Sequence, residues 1–271
     1  MDTTEQTGDD ATTGQLTAEA AELYERFFVP ALFDQWPGRL LDLAGVGPGD
    51  RVLDVACGTG VVARAARARV GAAGSVTGVD VNEGMLAVAA REGPEVAWLP
   101  GRAEALPVPS DSFDAVVCQF GLMFFTDPAA AVTEMARVVR PGGAVVVATW
   151  AGLPETPGYA AMVDLLDDLL GAAAAGALTA PFTVGTPDAL AAAVGDPLDD
   201  LEVRRLDGVA RFDSIDAWVT TDVRAWTLRD LIDDEQLATL LDHARVRLAG
   251  FCDADGRVAF PAPALVAVGR G

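Results

Sequence analysis

The chain has 271 residues, 51% of them apolar, which is enough to bury the core of one large α/β domain, with or without a cap. Its formal net charge is −21, and all 19 basic residues are arginine. A negative field of this size repels a phosphate backbone, so DNA and RNA are disfavoured as substrates.

The first fifteen residues, MDTTEQTGDDATTGQ, are polar and acidic, and we expect them to form a disordered tail. Their composition is the opposite of a secretory signal peptide, and no apolar run approaches the roughly 20 residues of a membrane span. We therefore expect a cytoplasmic protein without a membrane span. Cys57, Cys118 and Cys252 are widely spaced and only one histidine is present, so neither a disulfide framework nor a metal site is expected.

The first half of the chain predicts a regular alternation of strands and helices. Apolar residues recur at roughly helical spacing from Tyr24 to Leu43, where Pro30 and Pro37-Gly38 break the stretch into short helices. Further along, strands are predicted at residues 51–56, 75–80, 95–100, 114–120 and 144–150, and helices at 61–70, 83–92 and 129–140, the last stopped by Pro141-Gly142-Gly143. This alternation is typical of a parallel sheet covered by helices on both faces.

The second half of the chain is less regular. Its pattern predicts one helix at residues 158–176, then helices at 187–194, 214–227 and 233–250. It also predicts strands at residues 200–212 and 256–270, the second bent at its two prolines.

The strongest local signal is VLDVACGTG at residues 52–60, where a buried strand enters a glycine turn and then a helix. Glycine is needed where the backbone turns sharply and a ligand approaches without a Cβ in the way. Such a turn also fits an NAD or flavin site, and Ala63 at the third glycine position leaves that alternative open. Asp54 favours a different ligand, because its carboxylate suits a cationic ammonium and repels a pyrophosphate.

An acidic residue also ends the second predicted strand. Asp80 follows Gly60 by about 20 residues, the spacing at which a carboxylate meets ribose hydroxyls. Capping of the next helix is the alternative role, but Asn82 can serve as the cap and leave Asp80 free. Met85 and Leu86 open that helix and pack either on an adenine ring or in the core.

Four segments, in this order and spacing, resemble class I S-adenosylmethionine-dependent methyltransferases, particularly the branch typified by the ubiquinone and menaquinone biosynthesis enzymes. They are VLDVACGTG (52–60), GVDVNEGML (78–86), GRAEALPVPSDSFDAVVCQFGLMFF (101–125) and RVVRPGGAVVVATW (137–150). The resemblance covers about residues 45–150 and is specific for cofactor and fold, but not for substrate. It implies S-adenosyl-L-methionine as the cofactor and S-adenosyl-L-homocysteine as its product.

The implied fold is an α/β, Rossmann-like, doubly wound sheet of seven mostly parallel strands with a helical cap. Residues 200–212 and 256–270 then supply the last two strands, one of them antiparallel. Behind the tail we expect one methyltransferase domain over residues 16–271. Its parts are N-terminal helices over the cofactor (16–43), a cofactor-binding core (45–150), a cap insertion (151–199) and C-terminal strands and helices (200–271).

The resemblance also implies a cofactor site at the strand ends and in the loop after the third strand. Its residues are Tyr24, Asp54, Ala56, Gly58, Thr59, Gly60, Asp80, Val81, Met85, Arg102, Ala103, Glu104, Gln119 and Phe120. Asp54 lies by the methionine part, Asp80 by the ribose, and Gln119 and Phe120 beside the sulfonium. The backbone N–H of Ala103 faces the adenine ring.

Arg102 departs from the family pattern, which has an acidic residue at this position to accept a hydrogen bond from the adenine amino group. A guanidinium cannot accept one. We expect either that Glu104 substitutes or that Arg102 stacks on the ring.

The segment after the fourth strand bears on the acceptor. Amino-methylating nucleic-acid enzymes resemble one another in a D/N-P-P-Y/F tetrad there, whereas this chain has Gln119-Phe120-Gly121-Leu122. A small, largely apolar acceptor, such as an aromatic, quinone- or polyketide-like molecule, fits better. The expected pocket residues are Met123, Phe124, Trp150, Tyr159 and Trp218.

The sequence contains no clear motif for a catalytic base, and Tyr24 and His243 are the side chains considered for that role. The pattern around His243 is more typical of a helix surface. Two alternative functions remain open. One is a protein that binds S-adenosylmethionine to catalyse another reaction or to sense it, and the other is an NAD(P)-dependent oxidoreductase.

Overall fold

The computed structural model describes residues 17–225, 228–229 and 231–271. The predicted tail at residues 1–15 lies outside the described residues. Of the helices that the structure describes, none has the length and apolarity needed to cross a lipid bilayer.

Nine strands form two sheets among the residues that the structure describes. The strands are β1 (Arg51–Val55), β2 (Ser75–Asp80), β3 (Ala97–Pro100), β4 (Phe113–Gln119), β5 (Val139–Trp150), β6 (Asp199–Leu206), β7 (Val209–Phe212), β8 (Val258–Pro261) and β9 (Ala264–Arg270). The main sheet has the order β3-β2-β1-β4-β5-β9-β6, in which β9 runs antiparallel to both neighbours and the pairs from β3 to β5 are parallel. This confirms the predicted seven-stranded, mostly parallel sheet, including its one antiparallel strand.

The helices surround this sheet. They are α1 (Ala18–Leu23), a π-helix (Tyr24–Phe33), α2 (Pro37–Leu43), α3 (Val61–Val70), α4 (Glu83–Glu92), α5 (Pro128–Val138), α6 (Pro157–Leu170), α7 (Ala172–Thr179), α8 (Pro187–Val194), α9 (Ile215–Ala225) and α10 (Asp234–Arg247). Successive residues of β5 show that both faces are covered, because Val145 and Val147 pack in one core cluster and Val146 and Ala148 in the other.

Helices α6, α7, α9 and α10 pack together with the separate antiparallel pair β7–β8, and we call this group the cap. Its composition differs from the predicted insertion at residues 151–199. The structure packs α8 against β6 and β9 of the main sheet, whereas α9 and α10 join α6.

Three predicted elements are wrong in the second half of the chain. The helix at 158–176 is two helices, because Gly171 has a φ of +82° between α6 and α7. The strand at 200–212 and the strand at 256–270 are each divided, and one part of each lies in each sheet.

Two expected breaks in the first half are also wrong. Pro30 lies inside the π-helix, which closes with the Asp34 N–H donating to the Val29 carbonyl at 2.8 Å, five residues back. Strand β5 begins at Val139 and contains Pro141, so this proline lies inside a strand instead of separating a helix from one.

Candidate functional site

The carboxyl edge of the main sheet carries backbone strain at two neighbouring strands. Ala56 follows β1 with a φ of 54°, and Phe120 follows β4 with a φ of 56°. Non-glycine residues rarely adopt this left-handed conformation, which costs about 1–3 kcal/mol and is concentrated at functional sites. Ligands of open α/β sheets bind outside the carboxyl ends of the strands, so this edge is the candidate site.

The two glycines of the turn after β1 are required for different reasons. Both have left-handed backbone, with a φ of +54° at Gly58 and +86° at Gly60. A Cβ on Gly60 would lie 2.3 Å from the indole of Trp98, so this glycine makes room for a side chain of the protein itself. A Cβ on Gly58 would meet no described atom within 4 Å. Gly58 is therefore the position at which a ligand can approach the backbone.

Asp54 lies under this turn and is only 1% exposed. Its Oδ2 accepts a hydrogen bond from the Ala63 N–H at 2.9 Å. Burial, together with the charge of Asp80, raises the pKa of this carboxyl to about 8, although the Ala63 N–H and Arg64 act in the opposite direction. A cation bound next to Asp54 would favour its ionised form.

Asp80 connects β2 to the turn. Its Oδ2 accepts from the Gly58 N–H and its Oδ1 from the Asn82 N–H, both at 2.8 Å. Asn82 caps α4 by accepting from the Met85 N–H at 3.0 Å, as predicted, but Asp80 is not left free. Burial raises the pKa of Asp80, and these N–H donors oppose the rise. Each carboxylate oxygen has a second lone pair with which to accept from a ligand hydroxyl.

The π-helix brings Tyr24 to the same edge. Its ring stacks on Phe33, with centroids 5.2 Å apart. Burial, followed by the charges of Asp80 and Glu25, raises the pKa of Tyr24 well above its usual value. The phenol therefore stays protonated at neutral pH and is able to donate a hydrogen bond, which argues against Tyr24 as a base.

An ion pair fastens the π-helix to the first helix after the glycine turn. Glu25 Oε1 lies 2.6 Å from Arg64 Nη2, and the two side chains are 19% and 25% exposed. Arg64 also donates from Nη1 to the Thr59 carbonyl. The segment that begins at Tyr24 is thereby held against the turn.

Three buried side-chain oxygens around the edge have no hydrogen-bond partner among the residues that the structure describes. They are Glu25 Oε2, Thr59 Oγ1 and Gln119 Oε1. Buried polar atoms are nearly always paired, so unpaired ones call for an explanation. A ligand that brings N–H or O–H donors to the edge would satisfy them.

The remaining predicted cofactor residues divide into two groups. Val81 is 52% exposed at the end of β2, whereas Met85 is buried with Ala21 and Val88 in a small core cluster. Ala103 is buried.

Arg102 and Glu104 are directed to the loop before α5. Glu104 Oε1 accepts from the Thr126 N–H at 3.0 Å, and Arg102 Nη2 donates to Thr126 Oγ1 at 3.2 Å. Both side chains bond to this loop, so the structure does not support the expected contact of Glu104 or Arg102 with an adenine ring.

The expected acceptor residues do not form one group. Phe124 is half-exposed and Met123 is half-buried on the 3₁₀ turn after β4, and Trp150 is stacked on Phe120 with centroids 3.8 Å apart. Tyr159 and Trp218 are buried in the cap, with centroids 5.9 Å apart.

His243 lies exposed on α10, whose packing partners are α9, α6 and the 3₁₀ turn at Ala249–Phe251. This position does not fit a catalytic base at the strand ends. Within the described ranges, no group of three or more His, Cys, Asp or Glu side chains is placed to hold a metal ion.

Three residues at this edge, Glu25, Arg64 and Trp98, were not predicted from the sequence. Nothing in VVARAARARV distinguishes Arg64 from its neighbours, because its partner lies 39 residues away in the chain. For Glu25, the one available signal was its position next to Tyr24 in the chain.

Comparisons with known proteins find similarity in the part of the chain that carries this edge. Residues 53–147 match the family described as a methyltransferase domain. The chain is 41% identical over 117 residues to demethylmenaquinone methyltransferase of Renibacterium salmoninarum. That alignment covers 43% of this chain and 48% of the relative, so the chain spans about half the length of the curated protein that it matches.

Two solved structures are similar over most of the chain. Phosphoethanolamine N-methyltransferase 2 of Haemonchus contortus, solved with S-adenosyl-L-methionine, has a TM-score of 0.63 and 16% identity, covering 98% of this chain and 61% of that one. The [4+2]-cyclase SpnF has a TM-score of 0.51 and 19% identity, covering 88% and 81%. These likenesses confirm the Rossmann-like fold.

Proposed function

We propose that this chain, whose residues 53–147 match the methyltransferase domain family, binds S-adenosylmethionine at the carboxyl edge and transfers its methyl group to a small, largely apolar acceptor. The observation that carries the proposal is the charge at this edge. Asp80 accepts from the Gly58 N–H, Asp54 accepts from the Ala63 N–H and Glu25 pairs with Arg64, so that three carboxyls and one guanidinium lie around the glycine turn. The excess of acid suits a ligand with an ammonium and a sulfonium, and opposes the pyrophosphate of NAD(P).

The donor groups of this cofactor match the acceptors at the edge. Its ammonium suits Asp54, which a neighbouring cation would ionise. Its ribose hydroxyls suit the free lone pairs of Asp80. The unpaired oxygens of Thr59 and Gln119 offer further acceptors, and Gly58 leaves the backbone open to approach.

When bound, S-adenosylmethionine supplies an activated methyl group whose sulfonium departs without help from an acid. The chain then has to hold the acceptor in line with the methyl group at about 3 Å and to exclude water, and such positioning contributes up to roughly 7–11 kcal/mol. The stacked Phe120 and Trp150 form a rigid apolar wall at the end of β4. Tyr24 and the π-helix shield the edge from solvent.

An aromatic, quinone- or polyketide-like acceptor is the finer part of the proposal. The name of the Renibacterium salmoninarum relative supports a quinone-like ring. Two apolar side chains at this edge support it independently, because Val81 is 52% exposed and Phe124 is 50% exposed.

The likeness to SpnF favours a second candidate, in which the chain binds the cofactor but catalyses a different reaction. A fold that supports a [4+2]-cyclase does not by itself imply methyl transfer. Release of S-adenosylhomocysteine on incubation with S-adenosylmethionine and 1,4-naphthohydroquinone separates the two, because methyl transfer requires it.

A thermal-shift titration tests cofactor binding itself. S-adenosylhomocysteine at 100 times its dissociation constant is expected to stabilise the protein by about 2.7 kcal/mol. A shift with NADH and none with S-adenosylhomocysteine would contradict the proposal.

A further inference from the structure

The ion pair that fastens the π-helix to the glycine turn uses only one oxygen of Glu25. Glu25 Oε1 lies 2.6 Å from Arg64 Nη2, whereas Oε2 is buried and has no hydrogen-bond partner in the part of the chain that the structure describes. The other amino group of Arg64 does not satisfy this oxygen, because Nη1 donates to the Thr59 carbonyl. Buried polar atoms are nearly always paired, so Oε2 requires a donor that these segments do not supply.

This oxygen lies beside a part of the edge that a ligand can reach. Arg64 joins Glu25 to Thr59, and Thr59 follows Gly58, where an added Cβ would meet no described atom within 4 Å. The Glu25 side chain is 19% exposed, and Gly58 and Asp80 are half-buried, so the π-helix and the turn both contact solvent here. A small molecule can therefore approach both Glu25 and Gly58 from solvent.

The charges around Oε2 favour a cation as its donor. Asp54 accepts from the Ala63 N–H, and Ala63 directly precedes Arg64, so the ion pair of Glu25 lies on the side of the turn where Asp54 is buried. The Arg64 charge also opposes the rise in the pKa of Asp54, which indicates that the two groups are close. One guanidinium does not balance two carboxylates, and an ammonium, with three N–H donors, is able to bond to both.

S-adenosylmethionine carries one positively charged group with N–H donors, the ammonium of its methionine end, whereas its sulfonium has none. We propose that Glu25 determines cofactor specificity by binding this ammonium through Oε2, while Oε1 keeps the π-helix on Arg64. The contact adds to that of the ammonium with Asp54 and comes from a segment outside the sheet. The inference rests on the proposed function, because it takes S-adenosylmethionine as the ligand of this edge.

The test compares S-adenosylhomocysteine with its deamino analogue, in which a hydrogen atom replaces the ammonium, by isothermal titration calorimetry. Wild-type protein is expected to bind S-adenosylhomocysteine about 100-fold tighter, because the ammonium makes hydrogen bonds to two carboxylates. Glu25→Gln is expected to reduce this preference to about tenfold, the part that Asp54 supplies. Glutamine keeps an oxygen for Arg64, but its amide nitrogen then takes the place of Oε2 and cannot accept a hydrogen bond.

The ratio of the two affinities separates this contact from the attachment of the π-helix. Loosening of the helix in Glu25→Gln weakens the binding of both ligands alike, so it leaves their ratio unchanged. Glu22→Gln is the matched control, because Glu22 forms an exposed ion pair with Arg91 one turn earlier. This variant is expected to keep the wild-type ratio.

Two results would overturn this inference and leave the proposed function intact. One is wild-type protein that binds both ligands equally well, and the other is a Glu25→Gln protein that keeps the wild-type preference. Wild-type protein that does not bind S-adenosylhomocysteine would instead count against both. If Glu25→Gln does not fold, a crystal structure of the wild-type complex decides. An ammonium nitrogen within about 3.2 Å of Glu25 Oε2 supports the inference, and an Oε2 that contacts only water overturns it.

Discussion

Glu25→Gln is expected to loosen the N-terminal segment from the glycine turn. The pair of Glu25 with Arg64 spans 2.6 Å, and both side chains are less than one third exposed. An exposed ion pair contributes about 0–1 kcal/mol, and a hydrogen bond to a charged group about 1.5–3 kcal/mol. Because glutamine keeps a weaker hydrogen bond, we expect the variant to lose about 1–2 kcal/mol of this attachment.

The weaker attachment of the segment is expected to speed ligand release, because Tyr24 and the π-helix lie over the edge that we propose binds the cofactor. A change of 1–2 kcal/mol corresponds to about a 5- to 30-fold increase in the dissociation rate if opening of the segment limits release. Stopped-flow displacement of S-adenosylhomocysteine, followed by tryptophan fluorescence, measures this rate.

Glu22→Gln provides the matched control one turn earlier. Glu22 pairs with Arg91 at 2.9 Å, but the two side chains are 57% and 55% exposed, so its removal is expected to leave the rate within about twofold. Equal dissociation rates for the Glu25 and Glu22 variants would refute the role of the buried pair.

The remaining predictions concern the turn, its carboxyl and the lone histidine. Asp54, with a pKa of about 8, is protonated in the free protein at neutral pH, whereas a bound ammonium favours its ionised form. Binding of S-adenosylhomocysteine is therefore expected to release a proton near pH 7, and its affinity is expected to increase as the pH rises toward 8. Calorimetry in two buffers of different ionisation enthalpy measures this, and Asp54→Asn should abolish it. Gly58→Ala is expected to lower the free energy of unfolding by about 1–2 kcal/mol and to weaken ligand binding. Gly60→Ala is expected to lower it further, because the new Cβ would meet the Trp98 indole. Urea unfolding that ranks the two variants in the opposite order would contradict this. His243→Gln is expected to leave turnover within about twofold, and a large loss would restore the histidine as a candidate base.

The first half of the fold could be predicted because its signals are local. The buried strands there are followed by turn-forming or helix-capping residues, and the helices at 61–70 and 83–92 begin and end where predicted. Gly71 and Asn82 mark two of these boundaries by backbone geometry and by capping.

The second half could not be predicted to the same degree, because its strand pairing is not local. Val209 pairs with Pro261, and this pairing places β7 and β8 in a separate sheet although their neighbours β6 and β9 lie in the main one. A pattern of alternating residues shows that a strand exists, but not which sheet it joins.

The residues of the candidate site also differ in whether the sequence could predict them. Asp54, Ala56 and Phe120 lie at strand ends, and parallel topology brings such residues to one edge, so their common location could be expected from the sequence and its family resemblance. The partnership of Glu25 with Arg64 depends on how distant segments pack, because 39 residues separate the two in the chain. Neither residue stands out in a single sequence, because charged residues on amphipathic helices are usually solvated.

Affinity for S-adenosylhomocysteine in Asp80→Ala, compared with wild type by isothermal titration calorimetry, tests the central claim most directly. If the ribose binds Asp80, loss of two hydrogen bonds to a charged group weakens binding by about 100-fold or more. Thermal unfolding of the ligand-free variant shows how much of the change comes from the Gly58 contact. Unchanged affinity in a folded Asp80→Ala protein would contradict the account.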